Sequence, residues 1–205
     1  MDVALARSWV TAIATAVTEQ ADYLTQLDSA IGDADHGVNL NRGFTAVVAA
    51  LDTADPRTVG DVFVKTGTTL VSKVGGAAGP LYGTAFRAIG KALPAEGSTV
   101  DAAELGAALR AGLAAVQKLG AAVPGDKTIV DAYGPAVAAF EKAADDGLPA
   151  AARAAAEAAA EGMRATTGLH ARKGRASYLG PRSVGHQDPG ATSTWLIFQA
   201  LADVT

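Results

Sequence analysis

The chain has 205 residues, enough for one domain with a real hydrophobic core, and its formal charge of −4 argues against a general affinity for nucleic acid. It contains no cysteine, which excludes disulfides and thiolate chemistry and fits a cytoplasmic protein. No apolar run reaches the length of about 18 residues that a membrane span needs, and MDVALARSWV does not read as a secretion signal.

Alanine dominates the apolar residues and aromatics are scarce, a composition suited to closely packed helices. Helical spacing predicts eight helices, near 4–26, 39–51, 58–73, 81–92, 101–118, 128–144, 148–166 and 191–203. The first carries Val3, Ala6, Val10, Ile13, Val17 and Leu24 on one face. The second starts from Gly37 or Asn39 as a cap, and the fifth from Ser98 or Thr99. AARAAAEAAAEGMRA resembles a linker in composition, but Glu157 and Glu161 lie one turn apart and favour a helix. No segment alternates with period two, so no sheet is expected. The reading is all-α: a single domain spanning 1–205, with short connections that make neighbouring helices antiparallel. Two connections depart from this economy. One is VGGAAGP at 74–80; the other runs from Gly168 to Pro189 and carries His170, Arg172, Lys173, Arg175, Arg182 and His186. A loop that long inside a compact domain is usually functional or disordered.

The densest polar stretch is IGDADHGVNLNRGF, residues 31–44. As a calcium loop starting at Asp33 it fails at three positions: Gly37 replaces an oxygen ligand, Val38 the glycine and Phe44 the glutamate. Helix capping explains part of it, with the aspartates near the positive end of the following helix. Capping does not explain why Asp28, Asp33 and Asp35 crowd together, since like charges repel unless a cation intervenes. With hard oxygen ligands and no thiolate, magnesium is the natural cation, and magnesium shares its coordination with substrate phosphates.

A phosphate needs a cradle. GAAVPGDKT, residues 120–128, fails as a Walker A loop because Asp126 intrudes before Lys127 and no strand precedes it. GGAAGPLYGT, residues 75–84, is the better candidate: its glycines let backbone N–H groups turn toward an anion, and Pro80 suits a helix's first turn. A tight helix–helix turn would use the same residues. In 173–193, Arg175 and Arg182 are candidate phosphate clamps, and DPG could close over a nucleotide; a solvated basic loop is the alternative.

GDADHG, GGAAGPLYGT, PGDKT and ARKGRASYLGPRSVGHQDPGATS together, in order along essentially the whole chain, closely resemble the L subunit of dihydroxyacetone kinase, the nucleotide-binding subunit. The resemblance implies an eight-helix antiparallel barrel with ADP or ATP at one end, in agreement with the eight helices counted above. It implies that Asp28, Asp33 and Asp35 hold two magnesium ions bridging the phosphates. Nucleotide contacts carry over to His36, Gly37, Val38, Asn39, Gly76, Ala77, Ala78, Gly120, Thr128, Arg175, Asp188, Pro189 and Gly190. The family often has serine where this chain has Ala78, so only backbone donation is left there.

The implied chemistry is transfer of a γ-phosphoryl group to dihydroxyacetone held through a histidine on a separate K subunit, with Arg175 and the three aspartates as catalytic residues. No general base is required on this chain. In one branch of the family the nucleotide exchanges with ATP; in the other, ADP stays bound and is recharged by a phosphohistidine protein of the phosphotransferase system. A free-standing chain of this size resembles the second. A fatty acid kinase domain, a ketose kinase subunit acting on a sugar such as erythrulose, and a non-catalytic nucleotide-binding regulator are the competing readings. A transcription regulator is a further candidate partner, direct contact with nucleic acid or membrane is not expected, and a dimer is one open oligomeric state.

Overall fold

The computed structural model describes residues 1–97 and 99–205. Among these there is no strand, and a single isolated bridge joins Asp2 to Thr99. The described residues form nine α-helices: α1 (Val3–Glu19), α2 (Ala21–Ile31), α3 (His36–Asp52), α4 (Val59–Lys73), α5 (Ala78–Ala92), α6 (Ala102–Gly120), α7 (Val130–Lys142), α8 (Leu148–Ala165) and α9 (Pro189–Val204). From α3 to α9 each helix packs on the next; α9 returns to α1, and α1 lies on α3. The ring therefore has eight members, as expected, with α2 set beside α3 and α9.

The ninth helix arises because the predicted helix 4–26 is two. Gln20 leaves the helical region at φ −103°, ψ 7°, and neither glycine nor proline marks the break. The break frees α2 to lean toward α3, and that brings Asp28 to the end of the ring.

Backbone contact between helices replaces bulky side chains. A Cβ on Gly60 would stand 2.7 Å from the Gly90 carbonyl oxygen, and one on Gly67 would stand 2.4 Å from that of Gly83. Ascending positions on α4 meet descending ones on α5, so the two run antiparallel with their backbones touching. On α8 a stripe of Ala151, Ala152, Ala155, Ala156 and Ala159 is buried, which confirms the alanine-rich segment as a helix. The few aromatics fill the ring's interior: Trp9 meets Phe63 edge-on at 5.4 Å, Phe44 and Phe86 adjoin them, and Trp9 Nε1 donates to the Ile197 carbonyl at 2.9 Å.

Two expected caps are corrected. The helix near 101 is capped by Asp101, whose carboxylate accepts from Glu104 N while Glu104 reaches back to Asp101 N; Ser98 lies outside the described residues and Thr99 precedes the cap. α3 begins at His36, so Gly37 and Asn39 sit inside its first turn rather than before it.

Alternating helix direction brings the N-termini of α3, α5, α7 and α9 to one end of the ring, together with the last turns of α2 and α6. The long connection from Gly168 to Pro189 folds over the same end. It is wound rather than loose, with a 3-10 segment at Arg175–Ser183 kinked at Gly180.

Candidate active site

A cavity of about 430 Å³ opens at this end of the ring. Its acidic wall begins with Asp28, buried in the last turn of α2. Asp28 Oδ2 accepts the N–H groups of Asp35 at 2.9 Å and His36 at 3.2 Å, so this side chain supplies the α3 cap that the sequence reading assigned to Gly37 or Asn39. The connecting turn passes through Ala34 at φ 61°, which folds Asp33 and Asp35 back toward Asp28. One oxygen from each of the three carboxylates lies within 4.8 Å of the others. A Cβ at Gly32 would stand 2.0 Å from Asp28 Oδ1, so a side chain there would fill the space the carboxylate occupies. Three hard oxygens held this close fit a divalent cation such as magnesium.

Helix N-termini converge on the same cavity. Gly76 at φ 64°, Ala77 and Ala78 open α5; Thr128, Ile129 and Val130 open α7; Pro189 and Gly190 open α9; and His36 and Asn39 belong to the first turn of α3. First-turn N–H groups lack intrahelical acceptors, and their dipoles place partial positive charge at the cavity wall. This wall suits an anion. Ala78 offers no hydroxyl, as its side chain dictates. Gly120, at the end of α6, also lines the cavity.

Arg175 enters from the folded connection, with Nε 2.8 Å from Asp33 Oδ2. It therefore stands at the boundary between the acidic wall and the open volume. Lys173, which sequence reasoning did not select, lines the cavity beside it, whereas Arg182 is exposed and stays outside. Two further expected contact residues do not line the cavity. Gly37 is buried against α2, where a Cβ would stand 1.9 Å from the Ala21 carbonyl oxygen, and Val38 points outward with 58% of its surface exposed.

Burial lowers the His36 pKa, against the opposing charges of Asp28 and Asp35. Burial pushes Asp188 up to about 7, against the Ala191 N–H bond at 2.7 Å and the charge of Lys127.

Lys127 is a second residue that sequence reasoning missed. It is buried, sits at φ 64°, and its Nζ donates to the carbonyls of Thr166 at 2.6 Å, Leu169 at 3.2 Å and His186. These acceptors lie near the two ends of the segment between α8 and α9, and Arg172 N adds a bond to the Asp126 carbonyl at 3.0 Å. PGDKT is thus the clasp that closes the Arg175 segment over the cavity. The signal in the sequence is a lysine in a glycine- and proline-bounded turn.

A model of the DAK2 domain matches residues 30–203. The chain belongs to the DAK2-domain family. This DAK2 domain is 44% identical over 197 residues to the ADP-binding subunit of the PEP-dependent dihydroxyacetone kinase of Escherichia coli, covering 95% of this chain and 93% of the relative. It is 41% identical over 198 residues to the ADP-binding subunit of the PTS-dependent dihydroxyacetone kinase of Lactococcus lactis, covering 96% and 94%. Among solved structures it is similar to the dihydroxyacetone kinase of C. freundii in complex with AMP-PNP and Mg2+, at TM-score 0.77 and 25% identity. That match covers 98% of the DAK2 domain and 34% of the C. freundii chain, so the domain spans about a third of that kinase.

Proposed function

We propose that this chain is the ADP-binding subunit of a dihydroxyacetone kinase, and that it presents a magnesium-bound nucleotide to dihydroxyacetone held on a separate K subunit. The observation that carries the reading is one cavity that gathers three clustered carboxylates, four helix N-termini and Arg175. The relatives' printed names support the nucleotide and the reaction.

In this reading Asp28, Asp33 and Asp35 hold two magnesium ions, which when bound offset roughly four charges on the polyphosphate. The first turns of α5 and α9 receive the phosphate oxygens through backbone N–H groups, with His36 and Thr128 completing the cradle. Arg175 turns from Asp33 toward the transferring phosphoryl group and stabilises its charge as the bond to the β-phosphate oxygen breaks. The acceptor hydroxyl and its proton belong to the partner's sugar site, so the residues of this chain position the donor and supply no base. The donor we assign is a phosphohistidine protein of the phosphotransferase system that recharges bound ADP, in line with the PEP- and PTS-dependent relatives. A cytoplasmic location, a dimeric state and contact with a transcription regulator are further proposals of this reading.

Reconstitution with a K subunit and dihydroxyacetone tests it. The expected result is phosphorylated sugar when a phosphohistidine donor is supplied and negligible product with ATP alone. Sustained turnover on ATP alone would move the chain to the ATP-exchanging branch, and no transfer from either donor would remove the kinase reading.

A further inference from the structure

We propose that Tyr82 and Ser193 are positioning residues of this site: their hydroxyls form a buried chain that clamps the N-termini of α3, α5 and α9 together and holds the His36 ring at the cavity wall. His36 Nε2 lies 2.8 Å from Ser193 Oγ, and Ser193 Oγ lies 2.6 Å from Tyr82 Oη. Tyr82 Oη is 2.9 Å from both Thr194 Oγ1 and the Gly190 carbonyl, and the Thr194 hydroxyl donates to that same carbonyl at 2.8 Å. Ser193 Oγ also reaches the Pro189 and Gly190 carbonyls at 3.1 Å. His36 is the first residue of α3, Tyr82 stands in the second turn of α5, and Ser193 and Thr194 stand in the second turn of α9. Three of the four helices that aim their positive ends into the cavity are therefore joined by one continuous set of hydrogen bonds.

Core packing does not require this chain. Elsewhere the interior is filled by Phe44, Phe63 and Phe86, and a phenylalanine at 82 would bury the same ring without a hydroxyl to satisfy. Alanine at 193 would serve α9 better as a helix former. Neither Tyr82 nor Ser193 lines the cavity, so ligand contact does not explain them either. The chain ends on a ring that does line it, and fully satisfied buried networks of this kind select one arrangement of the elements they join. The spacing of the three N-termini, and with it the fit to successive phosphates, is what the clamp sets.

This inference rests on the nucleotide reading and refines it. Its test is the affinity for ADP with Mg2+, and for adenosine by competition against a fluorescent ADP analogue, in the wild type, Ser193→Ala and Tyr82→Phe. Removing either hydroxyl should weaken ADP about tenfold while adenosine changes less than about twofold, since only the phosphate end is repositioned. Tyr82→Phe preserves ring volume and decides the matter if Ser193→Ala does not fold. Equal losses for ADP and adenosine, or no loss of either, overturn the positioning role while leaving the nucleotide reading in place. A wild type that binds no ADP overturns both.

Discussion

Asp33 is the most exposed of the three clustered carboxylates' contributors to chemistry, with its Oδ2 on Arg175 and no backbone donor that needs it. Asp28, by contrast, also caps α3. Asp33→Asn is therefore expected to leave the helical circular dichroism spectrum unchanged while weakening magnesium and ADP binding together, by tenfold or more. Unchanged ADP affinity would reduce the carboxylate to a partner of Arg175. Asp188 carries a different signature. Burial raises its folded pKa to about 7, above the ordinary carboxylate value near 4, so between those values the folded chain keeps a proton that the unfolded chain has lost. Its contribution to stability is accordingly fullest at acid pH and falls as pH rises toward 7. Asparagine at 188 keeps the cap oxygen and removes the titration, so Asp188→Asn should flatten the fall in urea-unfolding free energy between about pH 4 and 7 in the ligand-free protein. A slope equal to the wild type's would assign the pH dependence to other groups.

At the scale of elements, the α4–α5 crossing sets two effects against each other. Alanine gains about 1 kcal/mol over glycine as a helix former, but a methyl at Gly67 would stand 2.4 Å from the Gly83 carbonyl oxygen and 2.6 Å from Arg87 N. Backbone on the far side cannot yield as a side chain can, so Gly67→Ala is expected to destabilise by about 1–3 kcal/mol in thermal or urea unfolding. A stabilised variant would mean that the helices are not in backbone contact. The clasp at Lys127 gives a second test. Lys127→Met leaves three carbonyls without their donor, and limited proteolysis should then cut within 168–188 faster than in the wild type while the helices persist. Equal cleavage rates would show that the connection is held by its own 3-10 turns. These elements also mark where sequence reading stopped. Helical period located the ring's members, and the acids and glycine loop announced the site. The break at Gln20 carries no local punctuation, because tertiary contact of α2 with α3 and α9 decides it. The cap at Asp28 is eight residues from the His36 N–H it accepts, farther than a capping pattern looks, and the clasp joins Lys127 to acceptors 39 to 59 positions away. Val38 and Gly37 belong to the motif but not to the cavity, since successive residues of a helix face different directions.

For the whole molecule, the eight-membered ring explains why the site is at an end and not in the middle. Its interior is closed by aromatic side chains, while alternating helix direction stacks four positive ends at one rim, and the α2–α3 turn brings the acids to the same rim. Cation and polyphosphate then fit only together: phosphates alone would face the carboxylates, and a cation alone would face the helix dipoles. The most direct test of this account is the affinity of the purified chain for ADP, measured by titration calorimetry with Mg2+ and again after chelation. We expect binding that is tight with Mg2+ and at least a hundredfold weaker without it. Equal affinity in the two conditions would contradict the account, because the three aspartates would then have no part in holding the nucleotide.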